Sequence, residues 1–155
     1  MEIVYILIGA ILIGGTLTFG HIWRQKKALM ILQADSQKLT EKAIKKCLPL
    51  VLKQPLELSS PRPIADVWGK GVLAFEYQGY LQRPDSLDLD ALRQALTVQL
   101  KLFAKEEHLT SEYSEQVFVI SDLWLKEKTL HIDLAYVINR ATASYIRDVS
   151  QLDGK

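Results

Sequence analysis

Residues Val117 to Ile138 read VFVISDLWLKEKTLHIDLAYVI, and this stretch decides the fold class. From residue 130 to 138, strongly apolar residues alternate with smaller or polar ones, which is the period of a half-buried β-strand. The short polar segment at 126–128 separates this run from the apolar run before it. The stretch therefore predicts an antiparallel hairpin with strands at Val117–Leu125 and Thr129–Ile138.

Upstream of the hairpin, the sequence predicts one strand and one amphipathic helix. Val67–Leu81 is rich in aromatic and β-branched residues, which favour a strand. The following apolar residues recur every three or four positions and mark one helix face: Leu89, Leu92, Leu96, Leu100 and Phe103. The oxygen-bearing residues before and within the first turn predict N-terminal capping rather than a metal site, since they lack the spacing of an EF-hand loop: Asp85, Ser86, Asp88 and Asp90.

These elements predict an α+β fold, in which a small antiparallel sheet of three or four strands packs on one helix. Residues 140–149 fit either a further strand or a short helix. The 155-residue length allows one domain of ordinary size, and the lone cysteine excludes an intramolecular disulfide.

The N-terminus has a different character. Ile3–Trp23 (IVYILIGAILIGGTLTFGHIW) contains 21 consecutive residues without a charged side chain. As an α-helix, this segment would reach about 31 Å, which matches the hydrocarbon core of a bilayer. A cleavable signal would begin with basic residues and end in a small-x-small site, which this segment lacks. We expect an N-terminal single transmembrane helix at residues 1–23, with Tyr5 and Trp23 at the membrane interfaces.

The basic residues Arg24, Lys26 and Lys27 follow this segment directly, whereas none precedes it. Because Lys and Arg are retained on the cytoplasmic side, they predict a cell-membrane protein with its N-terminus outside and its C-terminal domain in the cytoplasm. The same three residues are expected at the membrane interface. The alternative is the opposite topology, as in an extracytoplasmic pilin-like or secretion-apparatus component.

Small residues at Ala10, Gly14 and Thr18 recur every four positions within the apolar segment. They would share one helical face and would allow another membrane helix to approach closely. Self-association, or packing on a partner's membrane helix, is therefore a hypothesis for this face.

The charge of the chain is unevenly distributed. Residues 21–53 contain eight Lys and Arg against two acids, although the whole chain has a net charge of +1. Helix-forming residues predict a basic juxtamembrane helix at 24–54, whose lysines would meet anionic lipid headgroups. Nucleic acid is not an expected partner, because interleaved aromatic residues and known binding motifs are lacking. The remaining segments are a proline-rich linker at 55–63, an α+β domain at 64–150 and a frayed tail at 151–155.

Candidate catalytic groups are few. His131 and Asp133 are two residues apart in the predicted strand and would point outward together. A catalytic dyad would also need a nucleophile and a pocket, so we interpret the pair as exposed polar residues. Cys47 lies on an apolar helical stripe and is interpreted as a small buried hydrophobe. No catalytic residues, metal ligands or cofactors are predicted, and we expect a protein that is not an enzyme.

The expected function is a non-enzymatic, single-pass membrane-anchored adaptor or assembly subunit of a bacterial membrane complex, which interacts through its α+β domain. Its expected partners are the lipid bilayer and other membrane proteins, or a second copy bound through the anchor. A membrane-bound enzyme or lipid-binding domain is a further class, and it would require a pocket with convergent polar groups.

Overall fold

The computed structural model describes residues 2–52, 54–64, 71–84 and 87–153, and within these ranges the side chains from residue 21 to residue 152. The chain divides into two compact units, Met1–Ala34 and Asp35–Lys155. We call them the N-terminal unit and the C-terminal unit.

The described part of the chain forms three helices and four strands, which confirms the α+β class. The strands make one antiparallel sheet with the order β1-β2-β4-β3. The elements are α1 (Glu2–Val51), β1 (Arg62–Pro63), β2 (Ala74–Tyr80), α2 (Leu89–Glu106), β3 (Phe118–Lys126), β4 (Thr129–Tyr136) and α3 (Arg140–Asp153).

The predicted hairpin is confirmed as β3 and β4, which pair from Phe118↔Tyr136 to Lys126↔Thr129. The register shifts between Ile120 and Asp122, where a bulge inserts Ser121. Part of the predicted strand at 67–81 is present as β2 (Ala74–Tyr80), which pairs with the other side of β4. Residues 65–70 lie outside the described residues.

One face of the sheet forms the main core together with α2 and the last turns of α1. Alternate residues of β2 and β4 point into it, as the period of a strand requires. The predicted apolar face of α2 is confirmed, since Leu92, Leu96, Leu100 and Phe103 are all buried. The remaining main-core residues include Ala43, Ile44, Cys47 and Leu48 of α1, Phe75 and Tyr77 of β2, and Leu130, Ile132 and Leu134 of β4.

The helix α2 begins with a side-chain cap. The Asp88 carboxylate accepts a hydrogen bond from the backbone N–H of Ala91 at 3.0 Å. This contact satisfies one of the free amide groups in the first turn, so capping is confirmed for Asp88. Residues 85 and 86 lie outside the described residues.

The opposite face of the sheet packs against α3, and residues 140–149 are therefore helical. A smaller apolar cluster joins Tyr145 of α3 to Ala74 of β2 and Ala135 of β4. The sequence predicted a sheet covered by one helix, whereas three helices contact it. The sequence did not indicate this arrangement because the apolar residues of α3 are few and the last turns of α1 belong to the segment predicted as a basic juxtamembrane helix.

The proline-rich segment at 55–63 follows the edge of the sheet. Residues 62–63 form β1, and the backbone N–H of Ser59 donates to the Gln78 carbonyl at 2.7 Å. Leu58 also pairs with Gly79 in an isolated bridge. The sequence predicted a connector without regular structure, but prolines are compatible with an edge strand because one side of it needs no donor.

Candidate functional site

The part of α1 that follows the uncharged segment carries exposed apolar and basic side chains together. Ile22 is 51% exposed and Trp23 is 59% exposed. The Lys27 ammonium lies 5.6 Å from the centre of the Trp23 ring, which is a cation–π contact. An exposed indole held beside an ammonium group is suited to the boundary between lipid and water.

The structure describes the side chains of only some of the other residues that the sequence predicted at the membrane. Arg24 and Lys26 are exposed, like Trp23 and Lys27. The side chains of Tyr5 and of the predicted packing face at Ala10, Gly14 and Thr18 lie outside the described residues. In the part of the chain open to this test, no helix combines the length and hydrophobicity that a membrane span requires.

Some lysines of the basic helix pair within the C-terminal unit. The Lys42 ammonium donates to Glu107 at 2.7 Å, and Lys46 donates to Glu106 at 2.8 Å. Both ammonium groups also lie within 6 Å of the Phe103 ring centre, at 5.7 and 5.5 Å. The hydrogen bond from Lys42 lowers the pKa of Glu107, and the bond to Glu106 raises the pKa of Lys46. These lysines therefore contact α2, in addition to any lipid contact that the sequence predicted.

Polar residues gather on the sheet face that α3 covers only in part. The strand register places Glu76 of β2 opposite Asp133 of β4, and Asp133 opposite Asp122 of β3. Three carboxyl groups thus occupy one row across three neighbouring strands. Directly opposed like charges destabilise a sheet, so this arrangement favours protonation within the row, which reduces the number of negative charges.

His131 lies next to the row and contacts both neighbouring strands. Its Nδ1 is 2.9 Å from Glu76 Oε1, and its ring stacks on Trp124 with 4.6 Å between ring centres and 13° between the planes. The side chain is only 13% exposed, so it is not the outward-pointing residue that the sequence indicated. Burial acts to raise the pKa of Glu76, but the hydrogen bonds with His131 and Gln78 outweigh it and lower that pKa.

Asp133 is the most perturbed carboxyl group of the row. Its Oδ1 atom is buried and has no hydrogen-bond partner in the described structure. Burial, with additional repulsion from Glu76 and Asp122, raises the pKa of Asp133 to about 7. The sequence pointed to His131 and Asp133 but missed Glu76, whose position opposite them depends on the strand register.

The cluster contains the carboxyl and imidazole groups of an acid–base site. In the part of the chain that the structure describes, it lacks the hydrogen bond between a base and a hydroxyl or thiol that activates a nucleophile. Within the described residues, no hydrogen bond joins His131 to a hydroxyl or thiol group. The Tyr145 hydroxyl donates to Ser121 Oγ at 3.0 Å, and the Ser121 hydroxyl donates to the Asp133 carbonyl at 3.3 Å. Among the residues open to the search, no group of three or more His, Cys, Asp or Glu side chains is arranged to hold a metal ion.

Cys47 is buried in the main core with 2% of its surface exposed, which confirms its interpretation as a small hydrophobe. Burial raises the pKa of its thiol, despite the nearby Lys46. A raised pKa reduces the thiolate fraction and therefore the reactivity of the residue.

Comparison with protein-family models, with curated proteins and with solved structures finds no match to this chain.

Proposed function

We propose that the protein is a single-pass membrane-anchored adaptor or assembly subunit of a bacterial membrane complex, and that it acts without catalysis. The C-terminal unit supplies its interaction surface. The observation that carries the proposal is the combination of the uncharged Ile3–Trp23 segment with exposed Ile22, Trp23 and Lys27 directly at its end.

Two observations support the proposed anchor: the apolar length of the N-terminal segment and the exposure of Trp23. Transfer of a 21-residue apolar helix from water into lipid has a favourable free energy, because each side chain of Leu or Ile size that leaves water contributes about 1.5–3 kcal/mol. Exposure of Trp23 outside a protein core agrees with a position at the membrane interface.

A role without catalysis is supported by the contacts of the polar cluster. Its histidine is engaged by Glu76 and stacked on Trp124, so both contacts hold the ring within the sheet. These contacts account for the cluster as a structural network on the sheet face.

The proposed orientation places the N-terminus outside and the C-terminal unit in the cytoplasm, since Arg24, Lys26 and Lys27 follow the apolar segment. The opposite topology, in an extracytoplasmic pilin-like or secretion-apparatus subunit, is the alternative. The two topologies place the C-terminal unit in different compartments, and a side-specific label distinguishes them.

Membrane fractionation of bacterial cells that express the full chain tests the anchor. The wild-type protein is expected to stay with the membranes after alkaline carbonate extraction. A variant with Ile8→Arg and Leu12→Arg should be released, because each arginine at the centre of a span costs about 2.5–3.5 kcal/mol. Release of the wild-type protein by carbonate would refute the anchor.

Affinity capture from mild detergent tests the assembly role with the anchor intact. We expect a defined set of membrane proteins at constant stoichiometry with the wild-type chain. The matched control is the Ile8→Arg/Leu12→Arg variant, which retains the C-terminal unit. Capture of no partner beyond those recovered with this control would contradict the proposed assembly role.

A further inference from the structure

The exposed side of α2 carries an apolar stripe. Ala91, Ala95, Val98 and Leu102 are all exposed, and the two larger side chains are each 54% exposed. Successive residues of an α-helix are about 100° apart, so these four positions fall within about 60° of arc. The stripe is separate from the buried face of α2 and faces away from the main core.

The two halves of the stripe differ in shape. Ala91 and Ala95 line a groove of about 560 Å³ between the start of α2 and the end of α1, where Val51 and Pro55 form part of the opposite wall. Val98 and Leu102 project from the other half of the same helix. The face therefore has a recess at its N-terminal end and two apolar projections at its C-terminal end.

The two halves also differ in the charged side chains that form no ion pair within the described residues. Asp90 lies at the N-terminal end of α2, and Lys101 and Lys105 lie near its C-terminal end. All three side chains are exposed, and none forms an ion pair with a residue that the structure describes. By helical geometry, all three lie on the same side of the stripe.

A two-fold axis between residues 96 and 97 would bring these complementary halves together. In an antiparallel pair, Leu102 of one copy lies opposite Ala91 of the other, and Val98 lies opposite Ala95. At 1.5 Å per residue, Asp90 of the second copy lies about 3 Å along the axis from both Lys101 and Lys105. The two apolar projections of each copy meet the recess of the other, and Lys101 and Lys105 of each copy meet Asp90 of the other, as an isologous interface requires.

We propose that α2 is a homodimer interface, which binds a second copy of this chain in an antiparallel two-fold arrangement. The interface adds self-recognition to the C-terminal unit and does not depend on the membrane anchor. The dimer proposal would therefore stand even if experiments refuted the membrane anchor or the assembly with other proteins.

Site-specific cross-linking of the full chain in detergent tests the contact directly. Ala95→Cys, in a Cys47→Ala background, places two thiols about 4.5 Å apart along the axis, near the two-fold axis and within reach of a disulfide. The matched control is Lys128→Cys, an exposed residue in the turn between β3 and β4. We expect at least tenfold faster disulfide dimer formation at position 95 than at position 128.

Charge reversal tests the orientation. Asp90→Lys, added to the Ala95→Cys protein, should slow cross-linking several-fold because it places three positive groups together. Adding Lys101→Glu and Lys105→Glu should restore the original rate, since both members of each contact are then reversed. A merely destabilised helix would not recover with two further substitutions.

Two results would overturn the proposal. Equal cross-linking rates at positions 95 and 128 would show that the stripe does not contact a second copy and that any occupant is a different protein. Rapid cross-linking at position 95 that is insensitive to Asp90→Lys would refute the antiparallel register.

Discussion

Replacing Asp133 with asparagine is expected to flatten the pH dependence of stability of the C-terminal unit. In the folded state, Asp133 faces Glu76 from β2, Asp122 from β3 and Tyr145 from α3, and burial raises its pKa to about 7 from an ordinary value of 3.8. A raised folded-state pKa means that the native protein holds this proton more tightly than the unfolded chain. Its contribution is complete below about pH 4 and is lost as the pH rises through 7.

The magnitude follows from the pKa difference. At about 1.4 kcal/mol per pKa unit, ionisation of Asp133 in the folded state costs at most about 4 kcal/mol. Solvent reaches part of the side chain, so screening reduces this figure to about 2 kcal/mol. Between about pH 5 and about pH 9, the wild-type protein should therefore lose about 1–2 kcal/mol through this carboxyl group.

Urea unfolding of the full chain in mild detergent, followed by circular dichroism at several pH values, measures this effect. The stability of Asp133→Asn relative to wild type should rise by about 1–2 kcal/mol between the two ends of that pH range. The matched control is Asp148→Asn, which changes an exposed aspartate on α3. Parallel pH profiles for the wild type and Asp133→Asn would refute the reasoning.

Three further predictions concern folding of the C-terminal unit, each measured by the same urea unfolding. Tyr77→Phe removes a buried hydroxyl that donates to Thr40 Oγ1 at 2.8 Å, and should cost about 1 kcal/mol; an unchanged midpoint would contradict this. Gly79→Ala should cost about 1–3 kcal/mol, because its Cβ would lie 2.6 Å from Leu56, and Leu56→Ala should recover part of the loss. Asp88→Ala removes the N-cap of α2 and should cost about 1 kcal/mol, whereas a neutral effect would show that the cap is replaced by solvent.

The local elements of the fold were predictable from the sequence because each carries its own periodicity. The alternation in β4 and the repeat of Leu92, Leu96 and Leu100 in α2 identify a strand and a helix without tertiary information. The capping role of Asp88 is local as well. These predictions were therefore confirmed by the structure.

The tertiary features were not predictable in the same way. The last turns of α1 join the main core, although their lysines made the segment resemble a solvated stalk. Lysine stems cover apolar surface while their charges stay in water, so charge density does not exclude a packed helix. The edge pairing of residues 58–63 likewise depends on where β2 lies in space.

The candidate sites likewise combine local features, which the sequence indicates, with tertiary features, which it does not. The sequence indicated His131 and Asp133 by their spacing, but the partner Glu76 is 55 residues from His131 and meets it only through the strand register. The sequence prediction for α2 covered its buried face and did not include the exposed stripe. Its recess depends on the position of α1, which no local pattern specifies.

The membrane-anchored topology is the central claim, and thiol accessibility in intact bacterial cells tests it most directly. Cys47 is a poor reporter because it is buried, so Lys128→Cys is introduced in a Cys47→Ala chain, and Glu2→Cys is introduced separately. With a membrane-impermeant maleimide, the protein should be labelled at position 2 in intact cells, and at position 128 only after permeabilisation. Prompt labelling at position 128 in intact cells, or recovery of the chain outside the membrane fraction, would contradict the account.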